Sequence, residues 1–189
     1  MSYSQWLEIV VVVLGLLYIV LIAIEVRAGW IAGVIGSALF VVSNIYQHLY
    51  MDMVLNSYYV WAGIYGWYMW GRKDDGEALP VANIPKQLFA VLLAGSAVLT
   101  VAFGYGLSQF TNNSLPYLDA GVTILSFLAT WMSTRKYIEN WLVWLVADPL
   151  AVILYYYKGG MFYPMLFAIY TGMAAYGYLS WRKHMKNGI

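Results

Sequence analysis

Seven stretches of this chain are apolar over roughly the length of a membrane crossing, and that constrains the fold more than any other feature. The hydrocarbon core of a bilayer is about 30 Å thick and takes about 20 helical residues. Inside it, backbone polar groups have to be satisfied within the segment, which favours helices. The windows fall at Trp6–Ile24, Trp30–Tyr46, Met53–Trp70, Leu88–Leu107, Asp119–Ser133, Trp141–Tyr157 and Phe162–Trp181, the fifth being short and interrupted by Thr and Ser. Connections are brief except "GRKDDGEALPVANIPKQ" after the third window and "SQFTNNSLPYLD" after the fourth. Neither is long enough for a soluble domain. The composition agrees, since 62% apolar and 10% charged residues cannot clothe a water-facing surface. The predicted class is an all-α integral membrane protein. The first window is too long for the apolar region of a signal peptide and no Lys or Arg precedes Arg27, so it reads as a retained helix. With no cysteine in the chain, disulfides, thiolate metal sites and cysteine nucleophiles are excluded.

Short cytoplasmic loops carry the excess of Lys and Arg. With seven spans, one side holds Arg27, then Arg72, Lys73 and Lys86, then Arg135 and Lys136, then Arg182, Lys183 and Lys186, while the other holds only Lys158. This asymmetry predicts a cytoplasmic C-terminus and an N-terminus facing out. Inserting or removing a span would scramble it.

Sliding the sequence over itself by 111 residues aligns Glu8–Trp70 with Asp119–Trp181 without a gap. Trp30 falls on Trp141, Leu39 on Leu150, Tyr46 on Tyr157, Leu55 on Leu166, Tyr59 on Tyr170, Tyr65-Gly66 on Tyr176-Gly177, and Trp70 on Trp181. Matched Leu means little in so apolar a chain, but matched Trp, Tyr and Tyr-Gly at one offset do not arise from composition. The expectation is two three-helix repeats, residues 6–71 and 119–183, joined by a linker helix at 88–107. Three spans plus one linking span return the second repeat to the membrane in the first one's orientation. The repeats are then parallel, a known transporter plan with the substrate site near the midplane. A duplicated helical bundle without transport is the plainer reading of the same pattern.

The polar residues inside the windows name candidate site positions. Trp141, Trp144, Asp148 and Tyr155 are spaced to share one helical face. Their repeat partners Trp30, Gly33, Ser37 and Asn44 share another, which Gln47 and His48 continue. Asp148 stands seven residues into its window, about 10 Å along the helix axis. A carboxylate at that depth usually faces a bundle interior or aqueous cavity and balances a positive charge. No Lys or Arg inside a window is available, so a cationic substrate is one reading and a protonated, hydrogen-bonded Asp148 the bland one. Pro149 frees a backbone carbonyl one turn earlier, which also suits a wet cavity. Trp144, one turn from Asp148, can offer an aromatic face to a cation. In the third window Asn56, Tyr59, Gly63 and Gly66 recur at helical spacing, Asn56 as a hydrogen-bonding candidate and the glycines as sites of close helix packing. Asp119, Thr123, Ser126 and Thr130 form a weaker stripe, and Glu25 is expected to be solvated or paired. Trp70 and Trp181, at span ends, read as interfacial belt residues.

Enzymatic chemistry is not indicated. The chain has no phosphate-cradling Gly-rich loop ending in Lys-Ser/Thr, no His-Glu-x-x-His, and its two histidines, His48 and His184, fall on opposite sides. Neither a cofactor nor a metal is expected.

The tracts "NIYQHLY", "IYGWYMW" and above all "TRKYIENWLVW" resemble the Pnu family of bacterial vitamin transporters, whose members include PnuC-type carriers of nicotinamide riboside and PnuT-type carriers of thiamine. The resemblance runs from the first window to the last. It implies a non-enzymatic carrier of the inner membrane with an architecture like that of the SWEET sugar transporters. It also implies facilitated diffusion by alternating access, with the imported vitamin trapped by a cytoplasmic kinase. Trp141 and Trp144 match the family's Trp-x-x-Trp motif, Gln47 matches a glutamine of the second helix, and Asn56 stands where members often have Gln. Asp148 departs from the pattern, because riboside carriers tend to have Asn in this tract.

That departure tilts the expected substrate to thiamine, since a carboxylate can accept from an aminopyrimidine and balance a thiazolium. Nicotinamide riboside is the alternative, riboflavin a further one, and a non-transporting receptor or scaffold the alternative of another class. The expected substrate-binding set is Asn44, Gln47, Asn56, Tyr59, Trp141, Trp144, Asp148 and Tyr155. The expected partners are the vitamin, membrane lipid and further copies of the chain, with no nucleic acid.

Overall fold

The computed structural model describes residues 3–46, 50–74, 77–159 and 162–187, with side chains described outside 3–8, 43–46, 50–54, 73–74, 77–78 and 187. Among these residues are seven α-helices: α1 (Tyr3–Ala23), α2 (Gly29–Tyr46), α3 (Tyr50–Gly71), α4 (Lys86–Phe110), α5 (Pro116–Thr134), α6 (Asn140–Tyr157) and α7 (Phe162–Asn187). A hairpin of two-residue strands, β1 (Lys73–Asp74) and β2 (Glu77–Ala78), lies between α3 and α4. The helices coincide with the seven windows to within a turn at nearly every end. The widest departure is the C-terminus of α7, which runs on past Trp181 through the basic residues. Pro116 opens α5, where the missing N–H of proline is harmless. Pro149 lies inside α6, which continues through it.

Large apolar side chains on α4 face outward: Val91 is 67% exposed, Val98 69% and Val101 62%. A continuous apolar surface of this kind is foreign to a water-soluble monomer and natural against lipid.

The chain divides into two compact units, one comprising residues up to Pro80 with Ser133–Lys136, the other Val81–Met132 with the residues from Tyr137 onward. In the first, α2 packs against α1 and α3. Trp30 is the wedge: it is 1% exposed and meets Trp70 edge to face at 5.6 Å and 87°. A Cβ on Gly66 would come within 2.5 Å of the Trp30 indole, so only glycine lets α3 approach. In the second unit α6 packs against α7 in the same manner. Trp141 meets Trp181 at 5.4 Å and 85°, and a Cβ on Gly177 would lie 2.6 Å from the Trp141 indole. Trp70 and Trp181 are therefore not belt residues: at 6% and 0% exposure they are buried between helices, each completing the pocket of a neighbouring indole.

The correspondence extends to the backbone at the turns before α2 and α6. After α1, Glu25 N–H donates to Ile22 O (3.0 Å) and Val26 N–H to Leu21 O (2.8 Å). After α5, Lys136 N–H donates to Ser133 O (3.1 Å) and Tyr137 N–H to Met132 O (3.1 Å), each bond displaced by 111 residues from its counterpart. Both turns are Schellman caps, and the left-handed position is filled by Glu25 (φ 60°) in one and Lys136 (φ 52°) in the other.

The long connection before α4 is structured too. Ala82 bridges Tyr137 in parallel fashion, Ile138 N–H donates to Ala82 O (3.0 Å), and Ile84 N–H donates to Glu139 Oε2 (3.0 Å). Ile84 then joins Leu128, Ala129, Met132 and Val143 in the core of the second unit.

Candidate functional site

The second unit holds four of the expected site residues, all on α6. Asp148 is 2% exposed, and its Oδ2 has no hydrogen-bond partner among the described residues. Tyr170, on α7, lies within electrostatic reach of it. An unsatisfied acceptor so deeply buried is expensive and calls for a donor or a cation. Trp144, one turn earlier on the same face, is half-buried and rests its ring on the core around Val143 and Leu128. Trp141 is covered almost completely, its visible role being to hold α6 against α7 through Trp181 and Gly177. Two turns beyond Asp148, Tyr155 stacks on Phe167 at 5.3 Å and 9° and meets Tyr163 at 5.2 Å.

The far end of this unit is closed by charge. Asp119 Oδ2 accepts from Lys158 Nζ at 2.7 Å and from Asn113 Nδ2 at 2.7 Å. The Lys158 ammonium also sits 5.7 Å from the Tyr155 ring. The weak stripe on α5 thus has local uses: Asp119 makes this pair, and Ser126 Oγ donates to Val122 O of its own helix at 2.7 Å.

In the first unit Asn56 and Tyr59 are half-buried on α3, the Tyr59 ring 5.8 Å from Tyr58. Asn44 belongs to α2 at a position whose side chain is not described, and Gln47 and His48 lie outside the described residues. Tyr170 is the neighbour of Asp148 that the sequence reading matched only as the repeat partner of Tyr59, because nothing in the periodicity of α7 aims it at α6.

Aromatic rings close to a buried acceptor suit recognition of an organic molecule. A model of the nicotinamide mononucleotide transporter family matches residues 5–183. The chain belongs to that family. It is 28% identical over 203 aligned positions to the nicotinamide riboside transporter PnuC of Escherichia coli, covering 94% of this chain and 85% of the relative. The PnuC of Neisseria mucosa is 26% identical, with 97% of this chain and 74% of the relative covered. The riboflavin/roseoflavin transporter RibM of Streptomyces davaonensis is 26% identical over 77% of this chain and 70% of its own. A crystal structure of the vitamin B3 transporter PnuC shares the fold with a TM-score of 0.75 at 24% identity, over 97% of this chain and 83% of that one.

These findings make the chain a membrane vitamin transporter and bear out the resemblance to PnuC-type carriers. They correct the substrate expectation: the relatives are named for nicotinamide riboside and riboflavin, and thiamine has no support among them. The physical reason for the miss is that a carboxylate answers any aromatic cation. Asp148 could signal a positive charge on the substrate without distinguishing thiazolium from pyridinium.

Proposed function

We propose that this transporter imports nicotinamide riboside across the inner membrane of a bacterium by facilitated diffusion with alternating access, the riboside being trapped by a cytoplasmic kinase. In this reading residues 6–71 and 119–183 are two parallel repeats about the linker helix 88–107, the N-terminus faces out and the C-terminus is cytoplasmic. The repeated Schellman caps and the repeated Trp–Trp–Gly wedges support the duplication.

The observation that carries the substrate reading is the open acceptor of Asp148 at 2% exposure. Nicotinamide riboside is a pyridinium cation, and a carboxylate with no protein donor on one oxygen suits a permanent positive charge. Trp144 supplies an aromatic face one turn away, and Tyr155 continues that helical face. Asn56 and Tyr59, with Asn44 and Gln47, are the hydrogen-bonding candidates of the first repeat, suited to ribose hydroxyls and a carboxamide. Riboflavin is the second reading, favoured by the likeness to RibM. Its uncharged ring system leaves Asp148 without a counter-charge.

Calorimetry on the purified protein with nicotinamide riboside, riboflavin and thiamine side by side tests the assignment. The riboside is expected to bind, and Asp148→Asn to weaken it by at least about tenfold, ~1.4 kcal/mol. Binding of riboflavin or thiamine in its place overturns the substrate. Riboside binding untouched by Asp148→Asn removes the carboxylate from recognition while leaving the substrate standing.

A further inference from the structure

The turns that precede α2 and α6 meet through their left-handed residues. Lys136 Nζ lies 2.8 Å from Glu25 Oε2, and the two side chains are only 9% and 16% exposed. The residues are separated by 111 positions, the repeat offset itself, so the same position of two matching turns pairs with itself using opposite charges. Glycine would adopt φ values of 60° and 52° without strain, whereas any side chain there carries an energetic penalty. Both positions forgo the unstrained residue for a charged one. Stability is a poor explanation, because desolvation offsets much of what a buried ion pair gains, and such pairs are better attested as registry or switching devices.

The surroundings fit a closure at the basic end of the molecule. Behind the pair, Lys136 Nζ sits 4.7 Å from the centre of the Trp70 ring, and Trp70 Nε1 donates to Ser133 O at 3.1 Å. Ser133 and Thr134 beneath it are 1% and 0% exposed. The neighbouring cations have other seats: Arg27 lies 3.8 Å from the Trp67 ring and donates through Nε to Trp67 O, and Arg135 lies 5.5 Å from the Tyr65 ring. Ser133–Lys136 packs with the first unit, yet its chain continues directly into α5 on one side and towards α6 on the other. On the proposed alternating-access reading a carrier has to open and close each end in turn, and an ion pair between two left-handed turn residues is a contact that can break and re-form.

We propose that the Glu25–Lys136 pair is an ionic latch that holds the basic end of the transporter shut and parts each time that end opens. The absence of cysteine from the chain makes the latch directly measurable. Ser133→Cys places a thiol at a position of the same turn that is 1% exposed, and its modification by a membrane-impermeant maleimide in the purified protein, without any substrate, reports how often the end opens. Lys136→Ala, Glu25→Ala and Lys136→Glu are each expected to speed labelling by at least about tenfold. The exchange Glu25→Lys with Lys136→Glu is expected to restore slow labelling, since the two turns share one backbone geometry. Ala174→Cys, at a fully buried position of α7, serves as control and is expected to stay unlabelled throughout. Labelling of Ser133→Cys that ignores the single substitutions, an exchange variant as fast as the singles, or labelling of Ala174→Cys alongside Ser133→Cys would each overturn the latch. Because no vitamin is present, the result stands apart from the substrate assignment.

Discussion

Gly66 and Gly177 carry no side chain because an indole occupies the space where one would be. A methyl on either would sit 2.5–2.6 Å from Trp30 or Trp141, and neither ring has anywhere to retreat, each being 1% exposed and backed edge to face by a second tryptophan. Overpacking of this kind costs about 1–3 kcal/mol. Gly66→Ala and Gly177→Ala should therefore each lower the thermal unfolding midpoint in detergent. Gly95→Ala and Gly172→Ala, which would meet nothing within 4 Å, should leave it level or slightly raised. Equal midpoints in all four variants would show that the wedge does not bear on stability. The matching of these residues was legible in the sequence, since Trp and Tyr-Gly recurred at one offset. Their role was not: hydropathy places a tryptophan at a span end without saying whether the ring faces headgroups or a notch on the next helix, and Trp70 and Trp181 chose the notch.

At the scale of elements, the helices were legible because the bilayer imposes a length that the apolar windows repeat. The connection between α3 and α4 was not, because what orders it is non-local. Its segment from Ala82 to Ile84 is held by the turn before α6, through the Ala82–Tyr137 bridge and the Glu139 carboxylate on the Ile84 amide. No periodicity in these seventeen residues announces a partner fifty-five positions away. Glu139→Ala strands that amide next to the buried Ile84 side chain, a loss of about 1–3 kcal/mol locally. Hydrogen exchange is expected to accelerate at Ile84 and its neighbours, while amides in the middle of α6 stay protected. Unchanged exchange at Ile84 would mean that water replaces the carboxylate at no penalty. Asp119 shows the same limit from the other direction. Read along α5 it looked like part of a polar stripe, whereas its partners, Lys158 and Asn113, come from beyond both ends of that reading.

For the whole molecule, the medium and the direction of insertion are separate questions with separate evidence. The medium is answered by α4, whose valines are largely exposed and whose length of 25 residues, about 38 Å by helical rise, exceeds the hydrocarbon thickness. The direction rests on charge alone: nine Lys and Arg on one side against Lys158 on the other. Short basic loops resist transfer across the membrane, so the basic side is expected to stay in the cytoplasm. That side includes the turns bearing Glu25 and Lys136, and the latch would then close the cytoplasmic end while the Asp119–Lys158 pair stands at the outer one. Single cysteines settle the matter in this cysteine-free chain. Lys183→Cys and Tyr157→Cys both replace exposed side chains near helix ends that belong to neither ion pair. An impermeant maleimide added to intact spheroplasts is expected to label Tyr157→Cys and to reach Lys183→Cys only after the cells are broken. The reverse pattern would invert the protein in the membrane, and with it the end that the Glu25–Lys136 pair controls.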